Sequence, residues 1–197
     1  LIAGYHLRPE KVSVVYNGIT DIYKPLDAAG RESARKQFAN GHPYFVYLGA
    51  IHPRKNIIHL VKAFEMFKSE TPGDHQLVLA GRASWHTEEV FKAIESSRFR
   101  SAIHLPGYIP TSEAVRLVGG AEAMIYPSVY EGFGLPLVEA MACGVPVLCS
   151  HVSSLPEVAG DAALLFDPLD ASAIASQMKK LTTDEALKTK MIRLGFE

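Results

Sequence analysis

Two continuous apolar runs restrict the possible folds of this chain more than any other feature. Residues 44–49 read YFVYLG and residues 76–81 read QLVLAG, and neither run alternates with polar residues. A strand that is buried on one face shows such alternation, whereas a strand of a parallel sheet is covered on both faces and is apolar throughout. Both runs end in glycine, which commonly marks a turn. They predict two central strands of a parallel sheet.

Helical patterns alternate with these and further strands along the chain. From Ile57 to Phe67, between the two runs, apolar residues recur with the 3.6-residue period of a helix. This alternation, with short loops, is typical of an α/β fold with a doubly wound, Rossmann-like parallel sheet, which binds ligands beyond the carboxyl ends of its strands. Further predicted strands are Ala102–Leu105, Ala123–Pro127, Pro146–Cys149 and Ala162–Phe166, and further predicted helices are Arg31–Ala39, Thr87–Ser96, Thr111–Val118, Ala171–Leu181 and a last one capped by Thr183.

The first 26 residues follow a different pattern. Residues 11–16 form a short β-branched run closed by Asn17-Gly18, which predicts a strand that ends in a turn. Residues 25–30 resemble a connector to the first helix. A strand so near the start, preceded by an uncapped stub, indicates that the chain begins within a longer protein. We therefore divide the chain into residues 1–26 and a domain of residues 27–197.

The composition excludes several classes of function. The 197 residues are 48% apolar and carry a formal charge of -1, so the chain lacks the basic stripe that nucleic-acid binding needs. Its eight histidines are not clustered with cysteines at ligand spacing, so we expect no metal site. Cys143 and Cys149 are interpreted as small core residues of a protein from a reducing compartment. Because no apolar run could span a membrane and no signal peptide is recognisable, we predict a cytoplasmic location.

The segment from Glu131 to Glu139 contains the strongest candidate site. Its two carboxylates flank the glycine-rich turn Gly132-Phe133-Gly134 and a helix that is predicted to begin near Leu135. The N–H groups of such a turn and the positive end of the helix dipole form an anion site. A phosphate at this site, flanked by hydroxyls that bond to the carboxylates, describes a nucleotide-sugar.

Arg54 and Lys55 follow the first apolar run and precede a helix. The helix dipole disfavours cations there, which favours a functional role, such as binding a pyrophosphate, over a solvated basic pair. Asn56, directly behind them, is a candidate N-cap. Weaker candidates are His52 and His151 as phosphate contacts, Tyr108-Ile109-Pro110 as a base contact, and Trp85, which could stack on a ligand or equally well pack over the sheet edge.

Taken in order, these segments resemble the group 1 glycosyltransferases, the GT4 family of retaining GT-B enzymes. The resemblance covers nearly the whole chain. It implies the C-terminal, donor-binding half of a two-domain enzyme, with an interdomain linker and first strand in residues 1–26, a nucleotide-sugar binding domain in residues 27–197, and no acceptor-binding N-terminal domain. The matching segments are Tyr16-Asn17-Gly18, Leu48-Gly49, Pro53-Arg54-Lys55-Asn56, Ala80-Gly81, Pro106-Gly107-Tyr108-Ile109, Pro127 to Pro136, and Glu139 to Val147.

The resemblance also implies a role for each candidate residue. Glu131 would hold hydroxyls of the donor sugar, and Arg54 and Lys55 would stabilise the leaving diphosphate. No metal or other cofactor is implied, because the cations and the helix dipole take the stabilising role that a divalent ion plays elsewhere. The implied donor-binding residues are Glu139 at the ribose, Gly132, Phe133, Gly134 and Leu135 at the diphosphate turn, Tyr108 and Ile109 at the base, and Gly49.

Ala50 departs from the family pattern, because many members carry an arginine directly after the glycine that Gly49 matches. The Pro-Arg-Lys-Asn sequence is typical of mannosyltransferase-like members of polysaccharide or O-antigen assembly, in which Arg54 could take over that role. GDP-mannose is therefore the preferred donor, and the predicted reaction transfers a hexosyl group with retention to a saccharide or lipid-linked acceptor. The acceptor, and any peripheral membrane association, would depend mainly on the missing half. Two alternatives stay open: a non-catalytic nucleotide-sugar binding module and a UDP-sugar epimerase of related fold.

Overall fold

A single parallel sheet organises the chain. The computed structural model describes residues 2–197. Its six strands lie in the order β3-β2-β1-β4-β5-β6, and every neighbouring pair is parallel. The strands are β1 (Tyr44–Leu48), β2 (Gln76–Ala80), β3 (Ile103–Gly107), β4 (Ala123–Tyr126), β5 (Val147–Ser150) and β6 (Ala163–Phe166).

Helices connect successive strands and cover the sheet. Because parallel crossovers are right-handed, the reversal of strand order at β1 places the helices after β1 and β2 on one face and those after β4 and β5 on the other. The predicted doubly wound, Rossmann-like α/β fold is therefore confirmed. The helices are α1 (Ile2–Tyr5), α2 (Ala28–Ala39), α3 (Ile57–Glu70), α4 (Glu88–Glu95), α5 (Thr111–Gly119), α6 (Leu135–Ala142), α7 (Leu155–Ala159), α8 (Ala171–Thr183) and α9 (Glu185–Phe196).

The two apolar runs form the centre of the core, as predicted. Val46 in β1 pairs with Val78 of β2 on one side and with Met124 of β4 on the other, and all three side chains are fully buried. Helix α3 packs against α4 and α8 on one face of the sheet. Helix α2 packs against α5. Burial on both faces explains why these strands are apolar at nearly every position.

The predicted strand over residues 11–16 is wrong. Pro9–Lys11 forms one turn of 3-10 helix, and no strand is assigned to residues 12–20. Val14 and Val15 are exposed to solvent. A β-branched run becomes a strand only where a neighbouring strand supplies hydrogen bonds and a packing surface, and in residues 2–197 this segment has no such neighbour.

The first large helix begins earlier than its apolar pattern indicated. Asp27 accepts a hydrogen bond from the backbone N–H of Gly30 at 2.7 Å and so caps α2, which starts at Ala28 rather than at Arg31. Side-chain capping of this kind satisfies donors that have no partner within the helix. Among the described residues, no helix is both long and apolar enough to cross a bilayer.

Candidate functional site

The reversal of strand order between β1 and β4 determines where the site lies. Loops that leave adjacent strands at such a point diverge to opposite faces of the sheet and open a crevice at the carboxyl edge. The loop after β1 carries Arg54 and Lys55, and the loop after β4 carries Glu131. The fold thus brings together residues that are 76 positions apart in the sequence.

The loop after β1 is a single turn of 3-10 helix, Pro53–Lys55, which is tied to the loop after β4. The N–H of Val129 donates to the carbonyl oxygen of Arg54 at 3.0 Å. The side chain of Asn56 donates to the carbonyl oxygens of Pro127 and Pro168 at 3.1 and 2.6 Å. Asn56 is the N-cap residue of α3, as predicted, but its side chain makes no capping bond there. It joins three segments instead.

Glu131, Lys55 and Arg54 form a compact ion cluster. Lys55 Nζ lies 2.5 Å from Oε1 of Glu131, and Arg54 Nη1 lies 3.3 Å from Oε2 of the same carboxylate. Lys55 also donates to the hydroxyl of Tyr126 at 2.6 Å, and Arg54 donates to the carbonyl oxygen of Tyr130 at 2.6 Å. The side chains of Lys55 and Glu131 are 10% and 9% exposed, whereas that of Arg54 is 43% exposed. Lys55 is therefore committed to Glu131, and Arg54 remains accessible.

The charges of this cluster decide its protonation. Burial raises the pKa of the Glu131 carboxyl, but the hydrogen bond from Lys55 and the charges of Lys55 and Arg54 outweigh burial and bring the pKa below its ordinary value. Burial, and then the negative charge of Glu131, raise the pKa of Tyr126. At neutral pH the cluster thus contains an ionised carboxylate beside a protonated phenol.

Two serines after β5 hold the backbone of Glu131, a role that the sequence alone did not indicate for them. The N–H of Glu131 donates to Oγ of Ser153 at 2.9 Å, and Oγ of Ser154 donates to the carbonyl oxygens of Glu131 and Phe133 at 3.1 Å each. Ser153 has a φ of 54°, a left-handed conformation that is uncommon for serine. Tyr126 was missed too. A polar loop after a buried strand was the only signal available for the serines.

The glycine-rich turn leads into a helix at the predicted position. Helix α6 begins at Leu135, and Gly134 precedes it with a φ of 105°. This conformation favours glycine, and a Cβ atom on Gly134 would lie 2.7 Å from Cδ2 of Leu155, whose side chain would have to move. Gly132, Phe133 and Gly134 thus connect Glu131 of the ion cluster to the start of α6.

A cleft of about 510 Å³ lies at the carboxyl ends of β1, β2 and β3. Gly49, Tyr108 and Ile109, which were predicted to bind the donor, line it together with Arg82. The guanidinium carbon of Arg82 lies 4.2 Å from the centroid of the Tyr108 ring, a cation–π contact that sequence reasoning missed. Pro136 at the start of α6 closes one side, and the remaining lining residues are Leu48, Ala50 and Gly81.

Glu139 and Phe133 lie outside this cleft. Neither residue lines the cleft of about 510 Å³. Burial raises the pKa of the half-buried Glu139 carboxyl, and Tyr23 is its nearby polar neighbour. The ring of Phe133 lies 6.2 Å from that of Tyr16, whose hydroxyl donates to Glu157 at 2.7 Å. The donor-binding roles of Glu139 and of the turn from Gly132 to Leu135 therefore remain predictions.

The arrangement has the features of an anion site beside an apolar cleft. One accessible cation, Arg54, and one buried cation, Lys55, lie next to a helix start, where negative charge is favoured. Residues 2–197 contain no group of three or more His, Cys, Asp or Glu side chains that could hold a metal ion. A ligand with both a charged and a flat apolar part would match the two regions.

Several solved structures share this fold, including the following two. The C-terminal domain of LpcC, a glycosyl transferase group 1 family protein from Francisella tularensis, has a TM-score of 0.78 at 22% identity, and the match covers 91% of this chain and 95% of that one. Anabaena Alr3699/HepE, solved in complex with UDP and glucose, has a TM-score of 0.81 at 21% identity, and the match covers 94% of this chain and 51% of that one.

Sequence comparison identifies the family. O-antigen chain mannosyltransferase B of Escherichia coli is 41% identical to this chain over 143 residues, which cover 73% of this chain and 38% of that protein. The chain thus matches well under half the length of this curated relative. A sequence profile of the family described as "Glycosyl transferases group 1" matches residues 30–197. Because that match includes the strands, the ion cluster and the cleft, the chain belongs to the group 1 glycosyltransferases.

Proposed function

We propose that this chain is the donor-binding domain of a glycosyltransferase that takes its sugar from a nucleotide-diphosphate donor. The observation that carries this proposal is the buried Lys55–Glu131 pair with the accessible Arg54, placed at the topological switch point beside an apolar cleft. Membership of the group 1 family and the UDP and glucose bound to Alr3699/HepE support it. In this proposal the acceptor is held mainly by an N-terminal domain outside the chain.

In this proposal the cleft and the ion cluster bind different parts of the donor. The base lies in the cleft against Tyr108 and Ile109, and the diphosphate extends to Arg54 and the start of α6. Arg54 can leave its half-exposed pairing with Glu131 to meet the diphosphate, because Lys55 remains as the buried counter-ion of that carboxylate. Lys55 keeps the carboxylate of Glu131 ionised and oriented toward hydroxyls of the donor sugar.

The stabilised group is the leaving diphosphate. Negative charge grows on it as the bond to the sugar breaks, and fixed positive groups in a partly dry site lower the energy of that state. Arg54, Lys55 and the dipole of α6 supply these groups from the chain itself. No metal is required by this proposal.

The proposal extends to the donor sugar and to the course of the reaction. A 41% identical relative is an O-antigen chain mannosyltransferase, which favours mannose from GDP-mannose. We propose transfer with retention to a saccharide or lipid-linked acceptor, with this chain inactive alone. Any association with a membrane surface would be peripheral and would use the other half of the protein.

Calorimetry with GDP, UDP and ADP tests donor binding by the chain. Binding of GDP in preference to UDP and ADP supports the proposal, and binding of none of the three contradicts it. Arg54→Ala should weaken GDP binding roughly tenfold, as expected for the loss of a charge-assisted contact worth about 1.4 kcal/mol. Arg31→Ala, an exposed arginine of α2, is the matched control and should leave binding unchanged.

Transfer is tested in the full-length parent protein. Glu131→Ala and Lys55→Ala should each abolish most of the sugar transfer, while Lys36→Ala, which removes an exposed lysine that is also paired with a glutamate, should keep it. Wild-type rates in both cluster variants would contradict the site assignment. Nucleotide binding without transfer by the intact wild-type protein would favour a non-catalytic binding module.

A further inference from the structure

Trp85 is exposed but is held in a fixed loop. Its side chain is 66% exposed, although it lies only five residues after a fully buried strand. The loop that carries it is paired with the loop after β1: the N–H of Ile51 donates to the carbonyl oxygen of Arg82 at 2.9 Å, and the N–H of Ser84 donates to that of Ile51 at 3.0 Å. These bonds fix the backbone of the loop, and the Trp85 side chain is exposed rather than packed over the sheet edge.

His52 connects Trp85 to the ion cluster. The His52 ring meets the Trp85 ring edge-on, with centroids 4.6 Å apart and an interplanar angle of 83°. Nδ1 of His52 accepts a hydrogen bond from the N–H of Arg54 at 3.1 Å. With Nδ1 as acceptor, the neutral ring carries its proton on Nε2, which becomes a donor for an incoming hydroxyl. Contacts thus lead from Trp85 through His52 and Arg54 to Glu131.

This aromatic pair lies outside the donor cleft. Neither Trp85 nor His52 lines the cleft of about 510 Å³, although Arg82, three residues before Trp85, does. In the proposed arrangement, a donor that fills the cleft and reaches Arg54 with its diphosphate does not need the Trp85–His52 pair. The second substrate of a transfer reaction must approach the cluster from a side that the donor does not fill.

The chemistry of the pair fits a sugar ring. A pyranose has one face of C–H groups, which packs on a flat aromatic surface, and a rim of hydroxyls, which need nearby donors and acceptors. The indole presents a large rigid face and an N–H, and an exposed aromatic with a polar tip is characteristic of binding surfaces. The imidazole Nε2 of His52 adds a second donor beside it.

We infer that Trp85 and His52 form a subsite for one pyranose ring of the acceptor saccharide, so that the donor-binding domain itself contributes to acceptor recognition. This inference rests on the proposed glycosyl transfer and goes beyond it, because that proposal leaves the acceptor to the other half of the protein. Trp85 supplies the stacking surface, and His52 orients a hydroxyl toward the cluster.

Trp85 is the only tryptophan of the chain, so its own fluorescence reports on the subsite. The chain, saturated with GDP, is titrated with mannose, glucose and galactose oligosaccharides, and N-acetyltryptophanamide serves as the solvent control. A saturable change in Trp85 emission with at least one oligosaccharide supports the inference. The inference is overturned if no oligosaccharide changes the Trp85 emission. It is also overturned if every change rises linearly with concentration, as in the control.

Two variants of the full-length parent separate a saccharide contact from a structural role. Trp85→Ala should raise the KM for the acceptor roughly tenfold, in line with the loss of an aromatic contact that the bound saccharide would cover. Trp85→Phe should recover part of this loss because a flat ring is retained. The KM for the donor should not change in either variant. An equal rise in acceptor KM in Trp85→Ala and Trp85→Phe would contradict the subsite. A rise in the donor KM in either variant would contradict it too.

The failures of the two proposals can be told apart. If GDP binds to the chain by calorimetry but no saccharide alters Trp85 emission, the acceptor subsite alone is wrong. If none of GDP, UDP and ADP binds, the donor-binding function itself is contradicted. Tyr5→Ala, which removes another exposed aromatic, is the matched control and should leave both measurements unchanged.

Discussion

At the scale of single residues, burial distinguishes the Lys55–Glu131 pair from the exposed ion pairs of the chain. Lys36 and Glu32 lie at almost the same distance, 2.6 Å against 2.5 Å, but both are mostly exposed. An exposed pair contributes little, because water already solvates both charges. In a buried pair each charge depends on the other, so the loss of one partner leaves the other desolvated and unpaired.

Glu131→Gln should therefore lower the free energy of unfolding by about 3 kcal/mol at pH 7, since Lys55 loses its counter-ion. The measurement is urea unfolding of the chain. Glu32→Gln is the matched control, and should change the free energy of unfolding by less than about 0.5 kcal/mol. Equal effects of the two substitutions would show that the cluster is not buried as described.

The same comparison should depend on pH in a defined direction. The pKa of Glu131 in the folded state is lowered, below the value of about 4.3 for an unperturbed glutamate. Its contribution to stability is thus fully present above about pH 4.3 and is lost as the pH falls through the folded-state pKa. The difference between wild type and Glu131→Gln should shrink on acidification. A difference that stays constant from neutral pH to pH 3 would contradict the ion cluster.

At the scale of elements, the loops after β1 and β2 are packed backbone against backbone. A Cβ atom on Gly81 would lie 1.8 Å from the carbonyl oxygen of Gly49, an approach that only glycine permits. The N–H of Gly81 also donates to the carbonyl oxygen of Gly107 at 2.8 Å, which ties the loop after β2 to the end of β3. This contact fixes the floor of the cleft and the loop that carries Trp85.

Gly81→Ala should consequently destabilise the chain by several kcal/mol, because two backbones would have to separate. Thermal unfolding followed by circular dichroism measures the effect. Gly18→Ala is the matched control, since nothing lies within 4 Å of a Cβ atom there. If Gly81→Ala unfolds at the wild-type temperature, the loops do not approach each other as closely as described.

At the scale of the whole molecule, the candidate site lies at the carboxyl edge of the sheet, and the core lies between the sheet and its helices. Cys143 and Cys149 lie in the part of the sheet and helices that is closed to solvent, as predicted. Burial raises the pKa of Cys143 to about 11 and that of Cys149 to about 12. Both thiols are therefore protonated and inaccessible in the native fold.

Neither thiol should react with Ellman's reagent at pH 8 until the chain unfolds. Reaction in urea should rise with the same midpoint as the loss of circular dichroism, because both cysteines belong to the single core cluster. Both should then titrate completely. Fast reaction of one thiol in native buffer would show that its segment opens separately from the rest.

The sequence by itself determined the local structure and the candidate chemistry. Apolar runs such as the one at Tyr44 and the 3.6-residue period after Ile57 reflect burial, so the parallel strands and helices could be predicted. The helix start at Leu135 was predicted from its glycine turn. The strand predicted over residues 11–16 is wrong, because β-branched composition does not reveal whether a neighbouring strand exists.

Only the tertiary structure decided which of these residues meet. Strand order β1-β4 places Lys55 against Glu131, whereas periodicity carries no information on contacts 76 residues apart. The Ser153–Glu131 bond, the Arg82–Tyr108 contact and the Trp85–His52 contact also join loops from different strands. The physical reason is that burial leaves a periodic imprint on the sequence, while a contact between two loops is created only when the sheet brings their strands side by side.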